Sequence, residues 1–503
     1  MVRSEFMKIS CSLTNKHPLI FEINTFPWLN TLSEIFGHPI NLSNIPIELI
    51  DQELTAFDAI WCMGVWERSP KGKNIARNEE ALQKEYQKAL RYYNTDDVIG
   101  SPYSIYYYHV DSQIGGSEGL ESFRKDLAER NISIILDYVP NHVAIDHLWT
   151  LEKSDVFVKG KIEDLMQKPF EYFSVGQDVY ANGRDPNFAP WTDTVQINAF
   201  SPEAREKAIN TLLNIAEQCD GVRCDMAMLM TNKVFKQTWG EKVGAKPETE
   251  FWEVVIPAVK DKFPHFKFIA EVYWDMEWEL MQQGFDFCYD KRLYERLAND
   301  NANRVLEHLL ADWNYQKKLL RFIENHDEPR AVTVFGEEAS KAAAMIALTL
   351  PGARLIYDGQ MRGYEIKVPV QLRRNPTEDD NLDLMEFYEK LIKALPGEEF
   401  NSAKWSLCKS QPIIGEDHSY KNLVAYQWWN DTERRVIVVN YSLRPSKARI
   451  QIENIDYGSS KWQFTDMISE QKYSYFGENL SKNGLYVELA PWKGHIFDIT
   501  KIY

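Results

Sequence analysis

Four places in this chain of 503 residues combine side chains that can carry acid–base or nucleophilic chemistry. Each place directly follows a short apolar run of the kind that forms a buried strand. Carboxylates at such positions can serve as nucleophile, as general acid or as electrostatic stabiliser. The groups are Asp137 with Asn141-His142, Arg223 with Asp225, Glu271, and Glu324-Asn325-His326-Asp327.

The pair Arg223 and Asp225 stands out because its two members lie two residues apart in the run Gly221–Asp225. Alternate residues of a strand share one face, so these side chains are expected to be neighbours. A nearby cation favours the charged form of a carboxyl group. An ionised carboxylate can attack an electrophilic carbon. Taken alone, however, such a pair is more often a structural ion pair than a catalytic one.

Eight apolar runs of strand character alternate with helical patterns, which favours parallel βα units closed into a (β/α)8 barrel. In such a barrel the carboxyl ends of all strands open on the face where chemistry occurs. We therefore expect Asp225, Glu271 and Asp327 to converge there. The predicted strands are Leu19–Asn24, Phe57–Gly64, Ile132–Asp137, Gly221–Asp225, Lys267–Glu271, Phe285–Tyr289, Leu319–Glu324 and Ala353–Tyr357.

The remaining patterns divide the chain into an α/β barrel, a short insertion and an all-β domain. Residues 7–142 and 200–397 are assigned to the barrel, with predicted helix caps at Ser117 and at Ser201 before Pro202. Residues 143–199 have no clear period and are predicted to form an inserted subdomain after strand 3. Residues 398–503 contain strand-type runs without helices, which predicts a C-terminal antiparallel β-sandwich.

Composition excludes several classes of function. The formal net charge of −17 argues against binding nucleic acid or an anionic membrane, and suits a neutral or cationic substrate or simply solubility. No stretch reaches the roughly 18 apolar residues that span a bilayer, and the first thirty residues lack the apolar run of a signal peptide. The six cysteines form no C-x-x-C pair, and several lie in apolar, strand-type runs where Cys behaves as a small core residue. These features predict a cytoplasmic enzyme without a membrane partner.

Convergent carboxylates in a polar barrel mouth suit cleavage of a glycosidic bond. Asp225, kept ionised by Arg223, would attack the anomeric carbon. Glu271 follows an apolar run near other anions, conditions that raise the pKa of a carboxyl group and suit a proton donor. Asp327 would stabilise developing positive charge, while His142 and His326 would donate hydrogen bonds to sugar hydroxyls.

At these residues the sequence resembles the α-amylase superfamily, glycoside hydrolase family 13. The resemblance implies a retaining double displacement with Asp225 as nucleophile, Glu271 as acid/base and Asp327 as transition-state stabiliser. It also implies that Arg223, His142 and His326 bind the sugar, with Tyr103 in Gly100–Tyr103 as a stacking platform. The matching motifs are Asp137–His142, Gly221–Asp225, Ala270–Tyr273 and Glu324–Asp327.

Met228 and Leu229 depart from the family pattern, because its glucan-cleaving members often carry Lys-His there. The expected function is a retaining α-glycosidase acting on a short α-glucan or α-glucoside, that is, on an oligosaccharide or glucoside partner. A transglycosidase using the same carboxylates is one alternative, and a non-catalytic binding or scaffold homologue is another. No cofactor is expected to be required, although Ca²⁺ binding is possible, with Asn141 as a ligand. The sequence leaves the oligomeric state open.

Overall fold

Eight parallel strands form a closed barrel in the computed structural model, which describes residues 13–152, 155–413, 415 and 417–502. Each strand neighbours the next in sequence, and β8 lies beside β1. The predicted fold class is confirmed. The strands are β1 (Leu19–Asn24), β2 (Ala59–Met63), β3 (Ser133–Tyr138), β4 (Gly221–Cys224), β5 (Lys267–Ala270), β6 (Phe287–Tyr289), β7 (Leu319–Arg321) and β8 (Ala353–Tyr357).

Register brings the predicted motifs to one level at the carboxyl ends of β3, β4 and β5. Cys224 of β4 pairs with Tyr138 of β3 and with Ala270 of β5. Asp225 and Glu271 each follow this level by one residue, so the two carboxylates leave adjacent strands at the same height. The predicted seventh strand is too long, since β7 ends at Arg321 rather than Glu324.

Helices cover most connections of the barrel. Ser201 caps its helix as predicted, because its hydroxyl accepts a hydrogen bond from the Ala204 N–H and Pro202 occupies the first helical position. The cap predicted at Ser117 is wrong. That helix begins at Gly116, after Gly115 adopts a left-handed conformation (φ 108°) that costs glycine little.

The described residues form the following α-helices: Thr25–Phe36, Ile47–Leu49, Pro70–Asn78, Glu80–Ala89, Gly116–Ala128, Ile162–Gln167, Pro202–Ala216, Asn232–Trp239, Phe251–Lys262, Glu277–Gln282, Lys291–Asn299, Ala302–Leu309, Trp313–Gln316, Ala331–Phe335, Glu337–Thr349, Leu382–Ala394 and Gly477–Asn483.

The predicted insertion after β3 contains short antiparallel sheets. His142–Ala144 pairs with Thr194–Gln196, and Asp178–Ala181 lies between Lys159–Gly160 and Tyr172–Val175. A separate two-stranded ribbon, Trp66–Arg68 with Ile105–Val110, follows β2. These ribbons extend from the carboxyl ends of β2 and β3, where the predicted chemistry lies.

The C-terminal strands form two antiparallel sheets that share one apolar core, which confirms the predicted β-sandwich. The core includes Leu423 and Val436 from the larger sheet and Ile450 and Val487 from the smaller one. The larger sheet has the order β9-β11-β12-β17-β14-β15 and the smaller β10-β13-β16. The strands are β9 (Lys404–Leu407), β10 (Lys409–Gln411), β11 (Leu423–Trp429), β12 (Arg434–Asn440), β13 (Ser446–Gln451), β14 (Lys461–Asp466), β15 (Lys472–Phe476), β16 (Leu485–Leu489) and β17 (Gly494–Lys501).

The described chain also divides into two compact units. One comprises the described part of Met1–Thr14 with Ile20–Tyr289 and Ile366–Thr377, and the other the described part of Asn15–Leu19, Asp290–Glu365 and Glu378–Tyr503. The site residues before Asp290 belong to the first unit and those of Glu324–Asp327 to the second. The three domains drawn from the sequence stay a prediction.

The predictions about cysteines and membrane spans can be compared with the structure only in the part of the chain that is described. There, Cys62, Cys219, Cys224, Cys288 and Cys408 are buried free thiols, as expected for core residues. Cys11 lies outside the described residues. Across the same ranges, no helix has both the length and the apolar content to cross a bilayer.

Candidate active site

Arg223 joins the predicted carboxylates at the end of β4. Its Nη1 lies 2.7 Å from Asp225 Oδ1, and its Nη2 forms an ion pair at 2.8 Å with Glu271 Oε2. Asp137 Oδ1 lies 3.7 Å from the same Nη1. The planar fork of a guanidinium can hold several carboxylates in fixed directions, which an ammonium cannot. The structure therefore brings the predicted nucleophile and the predicted acid onto one cation.

The charge of Arg223 is permanent. Burial lowers the pKa of this side chain, which is only 1% exposed, but Glu271, the neighbouring tyrosines and Asp225 outweigh burial and raise the pKa well above its usual value. Each carboxylate of the group thus faces a charged guanidinium at neutral pH.

The turn after β4 holds Asp225 in place. Its N–H donates to the Tyr138 carbonyl at 2.9 Å, which continues the ladder between β3 and β4 by one residue. Met226 then adopts a left-handed conformation (φ 41°), which is rare for a side chain of this kind. The Met226 N–H donates to Glu271 Oε2 at 2.6 Å. The side chain of Glu271 thereby stabilises the strained turn that presents Asp225.

Glu271 accepts hydrogen bonds at both carboxyl oxygens. Oε2 receives the Met226 N–H, and Oε1 receives the Tyr273 hydroxyl at 2.7 Å. The sequence predicted apolar surroundings, and the preceding Phe268–Ala270 is indeed buried, but the carboxyl oxygens themselves face donors. Tyr273 was not predicted as a site residue, although it is the last residue of the motif Ala270–Tyr273 that carries Glu271.

Aromatic rings surround the Arg223 guanidinium. Its Cζ lies 5.2 Å from the ring centroid of Tyr103, 5.4 Å from that of Trp61 and 5.7 Å from that of Tyr289. The Tyr289 hydroxyl accepts the Arg223 Nε–H at 3.3 Å. Tyr103 thus lies beside the carboxylates, as expected. Trp61 and Tyr289 were missed; Tyr289 ends β6 and could have been found by its strand-end position, whereas Trp61 lies inside β2.

His142 is a neutral donor in this setting. Burial lowers its pKa to about 3, and a hydrogen bond with the Tyr103 backbone offsets this only slightly. The ring centroids of His142 and Trp191 lie 5.0 Å apart. An uncharged imidazole can donate a hydrogen bond to a sugar hydroxyl without adding charge to the site.

The buried His147, in the insertion after β3, predicts that the stability of the protein depends on pH. Burial lowers its pKa to about 4, and its Nδ1 accepts the Trp149 N–H at 3.1 Å. The unfolded chain binds a proton below about pH 6.5, whereas the native state does so only near pH 4, so stability is lost as the pH falls between these values. The loss is about 1.4 kcal/mol per pH unit, reaching roughly 3 kcal/mol.

Urea unfolding from pH 7 to pH 4.5 tests this expectation by comparison with His147→Asn, whose side-chain oxygen can still accept the Trp149 N–H. The variant should lose stability less steeply on acidification, since other titrating groups are common to both proteins. The exposed His38 gives the control variant His38→Asn, which should keep the wild-type slope. Equal slopes for His147→Asn and wild type would contradict the prediction.

Met228 and Leu229, the two residues that depart from the family pattern, are buried in the turn Ala227–Met230. They therefore form no exposed apolar surface on the acceptor side. Exposed aromatic side chains occur in the segment after Glu271, where Trp274 is 41% and Trp278 is 49% exposed.

In the second unit, Asp327 lies in the loop after β7. The side chain of Asn325 accepts the N–H groups of Asp327 and Glu328, both at 2.9 Å, and this turn ends the strand earlier than predicted. The buried His326 has Nε2 3.0 Å from Asp327 Oδ2, and the Asp327 side chain is 43% exposed. Glu324 is bound to Arg330 at 2.8 Å and has a structural role in this loop.

No cluster of three or more His, Cys, Asp or Glu side chains is arranged to hold a metal ion within the described ranges. Asn141, the possible calcium ligand, is buried, and its Oδ1 accepts a hydrogen bond from Gln196 Nε2 at 2.9 Å.

A (β/α)8 barrel with carboxylates where its strands end is an arrangement found in glycoside hydrolases. The family model for the alpha-amylase catalytic domain matches residues 101–393, more than half of the chain. The protein belongs to the alpha-amylase family.

Related proteins agree with this assignment. Alpha-amylase MalA of Haloarcula japonica is 23% identical over 350 residues, 68% of this chain and 47% of that protein. The intracellular maltogenic amylase of Bacillus subtilis is 21% identical over 303 residues, 57% of this chain and 48% of that protein. The chain thus matches about half the length of these relatives.

Solved structures show the same fold. The maltogenic alpha-amylase AmyB of Thermotoga neapolitana aligns with a TM-score of 0.65 at 17% identity, covering 97% of this chain and 99% of that one. The alpha-amylase of Geobacillus thermoleovorans aligns with a TM-score of 0.65 at 16% identity, covering 96% and 98%.

Proposed function

We propose that this protein is a retaining α-glycosidase that hydrolyses α-glucosidic bonds of a short α-glucan or α-glucoside. The observation that carries the proposal is the single guanidinium of Arg223 in contact with both Asp225 and Glu271. A retaining mechanism needs two carboxyl groups about 5–5.5 Å apart, close enough for one to attack carbon while the other protonates the leaving oxygen. Arg223 has one nitrogen 2.7 Å from Asp225 Oδ1 and another 2.8 Å from Glu271 Oε2, and this shared partner supports the proposal that the two carboxyl groups act on one bond.

In the first step, an oxygen of Asp225 bonds to the anomeric carbon as the bond from that carbon to the leaving oxygen breaks. Glu271 transfers its proton to the leaving oxygen, so the product is an alcohol and a β-glycosyl ester of Asp225. Glu271 Oε2 faces Arg223 and the Met226 N–H. The transferable proton therefore belongs on Oε1, beside the Tyr273 hydroxyl.

In the second step, Glu271 accepts a proton from water, and the water oxygen bonds to the anomeric carbon. The ester bond breaks, Asp225 leaves as a carboxylate, and the sugar regains its α configuration. Arg223 stabilises Asp225 when it is released, since its charge persists throughout the cycle. His142, Arg223 and Tyr103 would bind the sugar ring. We assign Asp327 the stabilising role and His326 a hydroxyl contact, as the family resemblance implies.

Product analysis tests the proposal. Maltotriose and p-nitrophenyl α-maltoside are incubated with the enzyme, and the first-formed anomer is identified by proton NMR while reducing ends are counted. Retention requires the α-anomer to appear before mutarotation, together with one new reducing end per bond cleaved. An initial β-anomer would contradict the retaining mechanism.

A transglycosidase is the second candidate, because the exposed Trp274 and Trp278 follow the proposed acid/base residue. Aromatic rings of this kind can stack against an acceptor sugar, which would then replace water in the second step. Disproportionation of maltotriose without new reducing ends would favour this candidate over hydrolysis. A non-catalytic scaffold is disfavoured because all three carboxylates of the motifs are present.

The proposed enzyme requires no cofactor for these steps, since the chain's own carboxylates carry the proton and the covalent bond. We also propose a cytoplasmic location. The support is that each cysteine in the described ranges is a buried free thiol, a state typical of a reducing compartment.

A further inference from the structure

The family resemblance makes Asn141 a possible calcium ligand, but a side-chain amide already fills the space between its oxygens. We propose that the amide nitrogen of Gln196 takes the place of a cation, and that the chain links the end of β3 to its insertion without calcium. The inference concerns the stability and metal response of the protein, so it does not depend on the proposed glycosidase activity.

Three oxygens converge on Gln196 Nε2. The nitrogen lies 2.9 Å from the Asn141 carbonyl oxygen, 2.9 Å from Asn141 Oδ1 and 3.0 Å from the Ile197 carbonyl oxygen. Gln196 is completely buried. Carbonyl and amide oxygens converging on one point are the groups that hold Ca²⁺ in proteins. Here the point of convergence is occupied by a nitrogen whose two N–H groups are shared among the three oxygens.

The orientation of the amide follows from its neighbours. Backbone carbonyl oxygens can only accept hydrogen bonds, so the Gln196 atom that faces Asn141 and Ile197 must be the donor. On the other side, Gln196 Oε1 accepts the Arg184 N–H at 3.2 Å and the Asn141 Nδ2–H at 3.3 Å. A flipped amide would place oxygen against oxygen and nitrogen against donors, which the network excludes.

The local charge also fits an amide better than a cation. The three oxygens are neutral, whereas calcium sites commonly include carboxylates. The residues at Asn141 therefore do not fit a calcium ion, and no catalytic step is assigned to one.

The amide link extends to the proposed sugar site. Asn141 Nδ2 lies 3.3 Å from His142 Nδ1, and an amide nitrogen can only donate, so Nδ1 is the acceptor. The imidazole proton is then on Nε2. Gln196 fixes Asn141, and Asn141 fixes the tautomer of His142, which makes Gln196 a positioning residue for a neutral donor.

Gln196→Glu provides the decisive variant, because it replaces the donating nitrogen with a carboxylate oxygen of nearly the same size. The new carboxylate oxygen would then face the three oxygens that Gln196 Nε2 contacts in the native protein. Their repulsion would destabilise this part of the fold unless a cation bound among the four oxygens. Gln196→Met is the uncharged control. Thermal unfolding of wild type and both variants is measured in EGTA and in millimolar CaCl₂, and Ca²⁺ binding is measured by calorimetry.

Wild type should show the same melting temperature in EGTA and CaCl₂ and no heat of Ca²⁺ binding. Gln196→Glu should melt several degrees lower in EGTA and recover in CaCl₂, while Gln196→Met should melt lower in both. A wild-type protein that binds Ca²⁺ or is stabilised by it would overturn the proposal, as would a Gln196→Glu variant that melts like wild type in EGTA. If Gln196→Glu does not fold, the wild-type titration still decides.

Discussion

Asp225→Asn is expected to lower kcat by roughly 10⁴-fold or more while leaving substrate binding measurable. The amide oxygen of asparagine is a far weaker nucleophile than a carboxylate, so the glycosyl ester cannot form at a useful rate. The amide still fits the same space and can still accept a hydrogen bond from Arg223 Nη1, which lies 2.7 Å from Asp225 Oδ1 in the native protein. Turnover of maltotriose and calorimetric binding to the variant measure the two quantities separately.

A matched control and a rescue experiment sharpen this result. Asp178 is an exposed aspartate of the insertion, so Asp178→Asn should retain wild-type turnover. In Asp225→Ala, azide can enter the space of the missing carboxylate and attack the anomeric carbon of an α-glucosyl fluoride. Fluoride leaves, and the product is a β-glucosyl azide. Near-normal turnover of Asp225→Asn would refute the assignment of the nucleophile.

Arg223→Leu is expected to cost about 3–5 kcal/mol of stability in addition to activity, because it removes a buried cation that is shared among carboxylates. Asp225 and Glu271 would lose their ion-pair partner, and Asp137 would lose a cation at 3.7 Å. Three buried acidic groups would then repel one another. Urea unfolding measures the loss of stability, and kcat measures the loss of preorganisation.

Arg223→Lys separates charge from geometry. An ammonium restores the positive charge but cannot present two nitrogens to two carboxylates at once, so stability should recover in part while kcat stays at least 100-fold reduced. Arg124, which pairs with Asp220 at 2.7 Å, provides the control Arg124→Lys, for which turnover should be unchanged. A kcat for Arg223→Lys within threefold of wild type would show that the shared fork is not needed.

The strand pattern and the strand ends could be predicted because they are local properties of the chain. β1 and β8 have the predicted boundaries, and Ser201 caps its helix. These features could be predicted because the spacing of apolar residues and the choice of a capping side chain depend only on residues that are close in sequence. β7 and the helix at Gly116 were predicted less well. β7 ends early because the Asn325 side chain accepts backbone N–H groups in a turn, and the helix begins at Gly116 because Gly115 is left-handed. Both boundaries depend on the backbone conformation, which cannot be inferred from the spacing of apolar residues.

The sequence by itself determined the fold class, the polar motifs and the pairing of Arg223 with Asp225, because each rests on residue type and short spacing. Only the tertiary structure decided that the same guanidinium also contacts Glu271, that Trp61 and Tyr289 surround it, and that Gln196 fills the space between the oxygens of Asn141. These contacts join residues 48 to 162 positions apart, as the separations of Arg223 from Glu271 (48) and of Asn141 from Gln196 (55) illustrate. Strand register and side-chain packing bring such residues together, and no local pattern in the chain specifies them.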